Sequence, residues 1–256
     1  MPISADWQGN LRSLTFGAGT DWQIDEPGIS GLGIPVARTR DAERGDRSGD
    51  VGGDDVLPRR ILNVPLVGTF ASPGAAWVAF EEELKLAWAE GIVDEVLDLR
   101  LPGMPETGRR YYGRARGLAE DLSRLKSSTV RALCTFEALD PLAYGDEELV
   151  TGTGTFAVEN VGTADSDRVV LTITGNGGIP KITNSSDDGL AVTFAEAVTG
   201  TRIVDLRAAT VIDGTAADQY AELSPVNQWW TLRRGTNSLT LEGAASLDVT
   251  FRPAYR

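Results

Sequence analysis

Apolar residues in the first half of the chain are spaced with two different periods, which predict strands and a single main helix. The helical period is confined to one segment, where large apolar residues recur every three or four positions: Trp77, Phe80, Leu84 and Trp88. Side chains with that spacing share one face of a helix. Ser72 is a natural N-cap, and Pro73 suits the first helical position. We therefore predict a helix over residues 73–88 whose aromatic face belongs to the core.

The other apolar residues of this half alternate with polar ones, as in half-buried β-strands. The alternation predicts strands over residues 11–16, 22–24, 34–38, 59–67, 97–101, 109–116 and 130–138. Pro65 would place its strand at a sheet edge or in a bulge, because proline cannot donate to a ladder. Cys134 falls on the inward side of the last strand, where a thiol acts as a small hydrophobic group. Residues 41–55 are rich in Asp, Gly and Arg, so we expect an exposed, mobile loop there.

The second half of the chain differs in composition: it is rich in Thr, Val, Gly and Asn, and its apolar residues show no helical period. Short β-prone runs recur at intervals of about 8 to 12 residues, separated by turn signals such as Asn176-Gly177. The runs lie at residues 156–159, 169–174, 181–183, 190–194, 202–206, 210–212, 220–223, 229–232, 238–241 and 247–251. This spacing predicts an antiparallel β-sandwich. The predicted fold class is mostly β (α+β), with domains over residues 1–147 and 148–256.

The chain is acidic, with a net charge of −13 from 37 acidic and 24 basic residues. A surface of that sign repels nucleic acids and anionic lipid headgroups, so we expect neither as an adhesive partner. The plainer interpretation is that acidity keeps the protein soluble. No apolar run approaches the ~20 residues that would cross a bilayer. The first ten residues do not have the pattern of a signal peptide, so folding in the cytoplasm of the producing cell is expected.

Histidine is absent and cysteine occurs once, which removes the usual general base, the usual zinc ligand and any intrachain disulfide. Glycine-rich pieces lack the spacing of phosphate-binding motifs. Two carboxylates suffice for glycoside hydrolysis, but Asp165 with Asp167, and Asp187 with Asp188, lie at predicted β-turns, where Asp bonds its own backbone. Calcium binding at these loops is a further alternative, although no EF-hand spacing supports it. We predict no catalytic residue, no cofactor and no metal.

Two adjacent tryptophans, Trp229 and Trp230, stand on a predicted strand, so one should face the core and the other outward. The outward ring could stack on a sugar, pack at a subunit interface or simply cover a sheet. Both residues are therefore candidate saccharide or interface contacts. Saccharide binding stays a hypothesis, because a fold does not by itself confer a function.

Several local patterns resemble the siphophage distal tail protein family, and they occur in the order found in that family. In the first half they are Gly31 to Pro35 with Arg38, Arg60 to Gly68 ahead of the helix, and Phe136 to Tyr144. In the second half they are Asn160 with Gly162, Val170 to Gly175, Ile179 to Ile182, Trp230 to Leu232, and Gly235 with Asn237. The pair Asp167-Arg168 departs from the family, which more often has an apolar residue and a proline there.

The resemblance implies a structural virion component and not an enzyme. The first domain would be a ring-forming belt domain that closes into a homohexamer, with a galectin-like second domain on its periphery. The ring would join the tail tube to the tail-tip hub or baseplate of a virion assembled in the host cytoplasm. The implied partners are further copies of the chain, the tail tube protein, the tail hub (tail-associated) protein and, as an additional candidate, the tape measure protein.

The ring would let DNA pass through its lumen without specific binding and would have no membrane partner. We hypothesise that some carboxylates of the first domain line that channel, since like charges repel. Two alternatives stay open: a carbohydrate-binding adsorption protein that uses its sandwich, and a carboxylate-based hydrolase.

Overall fold

The computed structural model describes residues 7–35, 42–43, 50–51, 57–91, 94–100, 102 and 108–256. Strands dominate these residues, which confirms the predicted mostly-β class. The chain forms two compact units, one that ends at Ala143 and one that comprises Tyr144–Tyr255. The domain limits at 147 and 148 remain a prediction.

The first unit contains most of its strands in one antiparallel sheet. Its strands are β1 (Gln8–Leu11), β2 (Leu14–Gly17), β3 (Trp22–Ile24), β4 (Ala42–Glu43), β5 (Asp50–Val51), β6 (Arg60–Thr69), β7 (Glu95–Arg100), β8 (Gly108–Asp121) and β9 (Thr129–Ala138). The order across the sheet is β2-β1-β7-β8-β9-β6-β3, and β4 pairs with β5 separately. Alternate residues of β6, β7 and β9 are buried and form the core: Leu62, Val64, Leu66, Leu97, Leu99, Val130, Ala132, Cys134, Phe136 and Ala138.

Three predicted segments of this unit differ from the structure or lie partly outside its described residues. Residues 11–16 form not one strand but the hairpin β1–β2, since the chain turns at Arg12, which has a φ of 52°. Ile34 and Pro35 are not in a strand, and the rest of the predicted strand 34–38 lies outside the described residues. Of the predicted loop 41–55, only the β4–β5 pair is described.

The expectation that Pro65 marks an edge strand or a bulge is wrong, because β6 lies between β9 and β3. Its regular register with β9 pairs Pro65 with Leu133. The Pro65 carbonyl accepts the Asp25 N–H at 2.9 Å, just beyond the last β3 pair. In an antiparallel strand the N–H and C=O of one residue point the same way, so the missing donor of Pro65 faces the end of β3. The ladder between β6 and β9 therefore loses no hydrogen bond to the proline.

The predicted helix is present but is not a continuous α-helix. It consists of α1 (Pro73–Ala79), a π turn (Phe80–Leu84) and α2 (Lys85–Ala87). The Ser72 hydroxyl accepts the Ala75 N–H at 3.1 Å, which confirms the N-cap, and Pro73 begins the helix. A short 3-10 helix lies after β8 at Leu125–Ser127.

The π turn changes which residues face the core. The Lys85 N–H donates to the Phe80 carbonyl, five residues back. The extra residue in this turn rotates the residues before the turn by about 100° relative to the residues after it. Phe80, Leu84 and Trp88 are buried as predicted, whereas Trp77 is 43% exposed and Ala76 is buried in its place. The prediction of a four-residue aromatic core face is therefore wrong at Trp77.

The second unit is an antiparallel β-sandwich, as predicted. Its strands are β10 (Ala143–Tyr144, which begins in the first unit), β11 (Glu148–Gly152), β12 (Thr155–Asn160), β13 (Val169–Asn176), β14 (Lys181–Asn184), β15 (Leu190–Thr193), β16 (Thr199–Asp205), β17 (Thr210–Asp213), β18 (Gly235–Glu242), β19 (Ala244–Phe251) and β20 (Ala254–Tyr255). One sheet has the order β11-β19-β13-β16-β17 and the other β12-β18-β14-β15. Apolar residues of both sheets form one core, including Leu171, Ile173, Ile182, Val192, Val204, Leu239, Leu247 and Val249.

Two predicted strands of this unit are not strands. Residues 220–223 contain a 3-10 helix at Tyr220–Glu222, where Glu222 receives two hydrogen bonds from Arg202 at 2.7 and 2.8 Å. Residues 229–232 are irregular apart from one bridge between Leu232 and Ser166. The Asp187 carboxylate accepts the Thr231 N–H at 2.8 Å, so a side chain satisfies the backbone where a neighbouring strand was expected.

Residues 216–228, which we term the capping segment, run along two strand edges of the sandwich. At β17, the Gln219 N–H donates to the Val211 carbonyl at 2.8 Å. At β15, the Ser224 N–H donates to the Thr193 carbonyl at 2.8 Å, and the Asn227 side chain accepts the Thr193 N–H at 3.0 Å. The segment thus satisfies backbone groups that would otherwise be open to pairing.

Candidate assembly surfaces

The outward face of the large sheet in the first unit carries isolated apolar residues among charged ones. Ile61 on β6 and Leu133 on β9 are both about half exposed, and their register places them on the face opposite the core residues. Val96 on β7 is exposed on the same face. Single apolar residues of this kind are common on protein surfaces, so this face is a candidate contact surface only.

Arginines neutralise the carboxylates of this face. Glu137, which is buried, accepts the Arg116 Nε–H at 2.8 Å and also forms an ion pair with Arg59. The hydrogen bond to Glu137 raises the pKa of Arg116. Similar pairs join Arg110 to Asp98 at 3.2 Å, Arg114 to Asp94 at 2.9 Å and Arg131 to Asp25 at 3.1 Å. The face is therefore close to charge-balanced, although the whole chain is acidic.

The exposed side of the helix is a second apolar surface. Trp77, Val78 and Leu86 are exposed there, and the Trp77 ring lies 5.9 Å from that of Phe80. Burial of large apolar groups is the main source of association energy, and tryptophan is over-represented among residues that dominate interfaces. The sequence pattern placed Trp77 in the core, so this surface could not be found without the position of the π turn.

The two candidate tryptophans of the second unit are not free on the surface. Trp230 is buried, and Trp229 is half-buried and packs against the sandwich core. In the neighbouring capping segment, the exposed large apolar residues are Tyr220 and Val226, the latter 74% exposed. Only part of the Trp229 ring is therefore accessible to a ligand. Tyr220 and Val226, which the sequence pattern did not indicate as contact residues, are exposed instead.

The carboxylates considered for catalysis or calcium are bound to arginines. Asp187, which is buried, accepts the Arg233 Nε–H at 2.7 Å, and Arg233 also donates to Asp165 at 3.1 Å. Asp167 accepts from Arg207 at 3.0 Å. A guanidinium therefore occupies the position that a cation would take beside these groups. Among the described residues, no group of three or more His, Cys, Asp or Glu side chains is placed to hold a metal ion.

Two asparagines of the family-like patterns have a structural role in the turn before β18. The buried Asn237 accepts the Arg233 N–H at 2.8 Å and donates to the Arg233 and Gly235 carbonyls. The buried Asn160 donates to the Leu232 carbonyl at 3.1 Å. Buried polar groups need such partners, so these residues fix the path of residues 231–235.

The single thiol of the chain, Cys134, is buried in the core of the first unit, and burial raises the pKa of this group. A thiol in such a setting is a poor nucleophile. In the part of the chain that the structure describes, none of the helices has the length and apolar character needed to span a bilayer.

Comparison with known proteins shows a likeness in structure. No family model and no curated protein matches the sequence. The fold is similar to that of the SPP1 Dit (gp 19.1) protein, a paradigm of the hub adsorption apparatus in Gram-positive-infecting phages, with a TM-score of 0.77 at 16% identity over 98% of this chain and 99% of that chain. It is also similar to a chain of the phage P2 baseplate in its activated conformation with Ca, with a TM-score of 0.61 at 9% identity over 96% and 97%. The chain therefore has the fold of the SPP1 Dit protein along nearly its whole length.

Proposed function

We propose that the chain is a distal tail protein, a structural component of the tail tip of a long-tailed phage. The observation that carries this proposal is the likeness to SPP1 Dit, which extends over 98% of this chain and 99% of that protein and therefore includes both units. The sequence patterns that resemble the distal tail protein family support it independently, because they lie in both units.

The proposed action is architectural. Copies of the first unit associate head to tail into a ring, and the family resemblance implies six copies. A head-to-tail contact uses two different surfaces of one chain and closes into a ring when the rotation between copies permits it. The outward sheet face and the exposed helix side supply two such surfaces, each with large apolar residues in solvent.

In this proposal the ring lies between the tail tube protein and the tail hub protein, with the tape measure protein as an additional contact. The sandwich, proposed as galectin-like, lies outside the ring. DNA passes through the lumen without specific binding. Carboxylates of the first unit stay our candidates for the channel wall, where like charges would repel the DNA backbone.

Mass photometry and negative-stain microscopy of the purified full-length chain test the proposal. We expect rings of six copies of the 27.3 kDa chain, alone or after addition of the tube and hub proteins encoded with it. Replacing Leu133 by Asp should weaken ring formation if the sheet face takes part, and Trp77→Asp should do so for the helix side. A chain that stays monomeric with both partners present, at concentrations well above those of assembly, would overturn the proposal.

The saccharide-binding alternative has a direct test of its own. Binding of cell-wall saccharide to the full-length chain, lost in Trp229→Ala and retained in Trp77→Ala, would favour it. The positions of the two tryptophans speak against it, because Trp230 is buried and Trp229 packs against the core.

A further inference from the structure

The sandwich of the second unit has four edge strands, and the described part of the chain covers only two of them. The edges are β11 and β17 in one sheet and β12 and β15 in the other. The capping segment bonds to the outer sides of β15 and β17. Among the described residues, no backbone hydrogen bond reaches the outer sides of β11 or β12. Within the described residues, the sandwich therefore has one covered pair of edges and one uncovered pair.

The open edge of β12 presents a regular set of backbone groups. The Leu241 N–H donates to the Gly154 carbonyl at 2.8 Å, so residues 154 and 241 form a hydrogen-bonded pair of the antiparallel ladder. Such pairs alternate along a ladder, which makes 156 and 158 the next residues bonded to β18. The N–H and C=O groups of Thr155, Ala157 and Glu159 consequently point away from the sheet. Their side chains are exposed as well.

Apart from the charge of Glu159, this edge lacks the features that usually prevent pairing. Natural edge strands are protected by lysine, proline, a bulge or a covering loop. The residues of β12 (Thr-Phe-Ala-Val-Glu-Asn) include no lysine and no proline, and their register with β18 is uninterrupted. Three of its six residues, Thr155, Phe156 and Val158, are of types that favour strands. An edge of this kind accepts an added strand.

The charge beside this edge indicates which kind of strand it accepts. Burial raises the pKa of Glu148 on β11, and the nearby charge of Glu159 on β12 raises it further. Neither carboxylate takes part in an ion pair among the described residues. Other carboxylates of the unit do so, including Asp167 with Arg207 and Glu222 with Arg202. The two glutamates at this edge therefore leave a negative charge that a basic partner can neutralise.

We propose that the outer edge of β12 binds an extended segment of another protein, which adds a strand to the four-stranded sheet and places a lysine or arginine beside Glu159 and Glu148. Main-chain hydrogen bonds to Thr155, Ala157 and Glu159 provide the affinity, and the basic side chain provides the selectivity. A second copy of this chain is the poorer occupant. Its own β12 would bring another Glu159 to a molecule with a net charge of −13.

The test uses the full-length chain and a capped peptide of alternating lysine and valine as the probe. Amide hydrogen exchange should show protection of Thr155, Ala157 and Glu159 when the peptide binds, while the amides bonded within the ladder change little. Ala157→Pro removes one outward donor and no ladder bond, so it should weaken peptide binding at least tenfold. Ala157→Val keeps the donor and is the matched control. Circular dichroism confirms that both variants are folded.

A charge reversal separates edge pairing from general attraction. Glu159→Lys should reverse the preference, so that a peptide of alternating glutamate and valine binds better than the lysine peptide. Equal binding to Ala157→Pro and Ala157→Val, or protection at amides other than the outward ones, would overturn the proposal. Self-association of the unmodified chain that Ala157→Pro abolishes would also overturn it, in favour of a second copy as the occupant.

Discussion

The two tryptophans of the helix allow a matched test of how the π turn divides the helix into a buried and an exposed part. Trp88 is 2% exposed, and a tryptophan buries about 150–250 Å². At about 25 cal/mol per Å², Trp88→Ala loses about 4–6 kcal/mol of unfolding free energy, close to the range of about 3–5 found for such truncations. The buried Trp88 indole N–H has no partner among the described residues, and its removal returns about 1 kcal/mol. We expect a net loss of about 3–5 kcal/mol.

Trp77→Ala is the same substitution on the exposed part. No cavity forms beside solvent, and alanine favours a helix more than tryptophan does, so we expect a loss of about 1 kcal/mol. If the free energy of unfolding falls by about 2 kcal/mol per M of urea, the urea midpoint should fall by about 1.5–2.5 M for Trp88→Ala and by about 0.5 M for Trp77→Ala. Circular dichroism monitors the unfolding, and hydrogen exchange of residues 73–88 assigns the transition to the first unit. Equal shifts for the two variants would refute our account of the π turn.

Three further results are expected. Hydrogen bonds from Thr215 lower the pKa of Asp213 from 3.8 to about 2. The ionised form of Asp213 therefore adds stability above pH 4, and this stability is lost as the pH falls towards 2. Asp213→Asn should flatten the dependence of the melting temperature on pH across that interval. Asp187→Ala should cost about 2–3 kcal/mol in urea unfolding, because the Thr231 N–H and Arg233 lose a buried acceptor. The exposed Asp188 has a left-handed backbone, which asparagine also tolerates, so Asp188→Asn should cost under about 0.5 kcal/mol. Cys134 should react with a thiol reagent only as fast as the first unit opens; rapid reaction of the folded chain would contradict its burial.

Much of the fold could be predicted because each sheet buries one face. The alternation from Val130 to Ala138 fixed a strand and its inward side, and the structure buries all five predicted residues. Most strands of the sandwich were found for the same reason, since one face of each packs on the other sheet, whereas β11 was not predicted. Ser72 and Pro73 identified the helix start, because capping is decided by residues next to each other in the sequence.

The failures occurred where the spacing of residues along the sequence does not decide the local structure. Trp77 left the core because of one extra residue in a turn, which spacing alone cannot show. Trp229 and Trp230 were placed on a strand because their sequence favours one, but Asp187, which is 44 residues before Thr231, binds the Thr231 N–H. The exposed side of the helix and the open edge of β12 likewise depend on which neighbours are present, and a linear pattern of residues does not contain that information.

The capping segment gives the protein a weak point that its melting temperature would not reveal. Residues 216–228 cover β15 and β17 through hydrogen bonds, contribute one residue, Leu223, to the core, and contain no strand longer than a single bridge. Local opening of such a segment requires much less free energy than unfolding of the sandwich. Each opening exposes two strand edges at once, and exposed strand edges of different molecules can pair with each other. Precipitation in concentrated solution would then begin from nearly native molecules, so substitutions that strengthen the core would leave the storage lifetime unchanged.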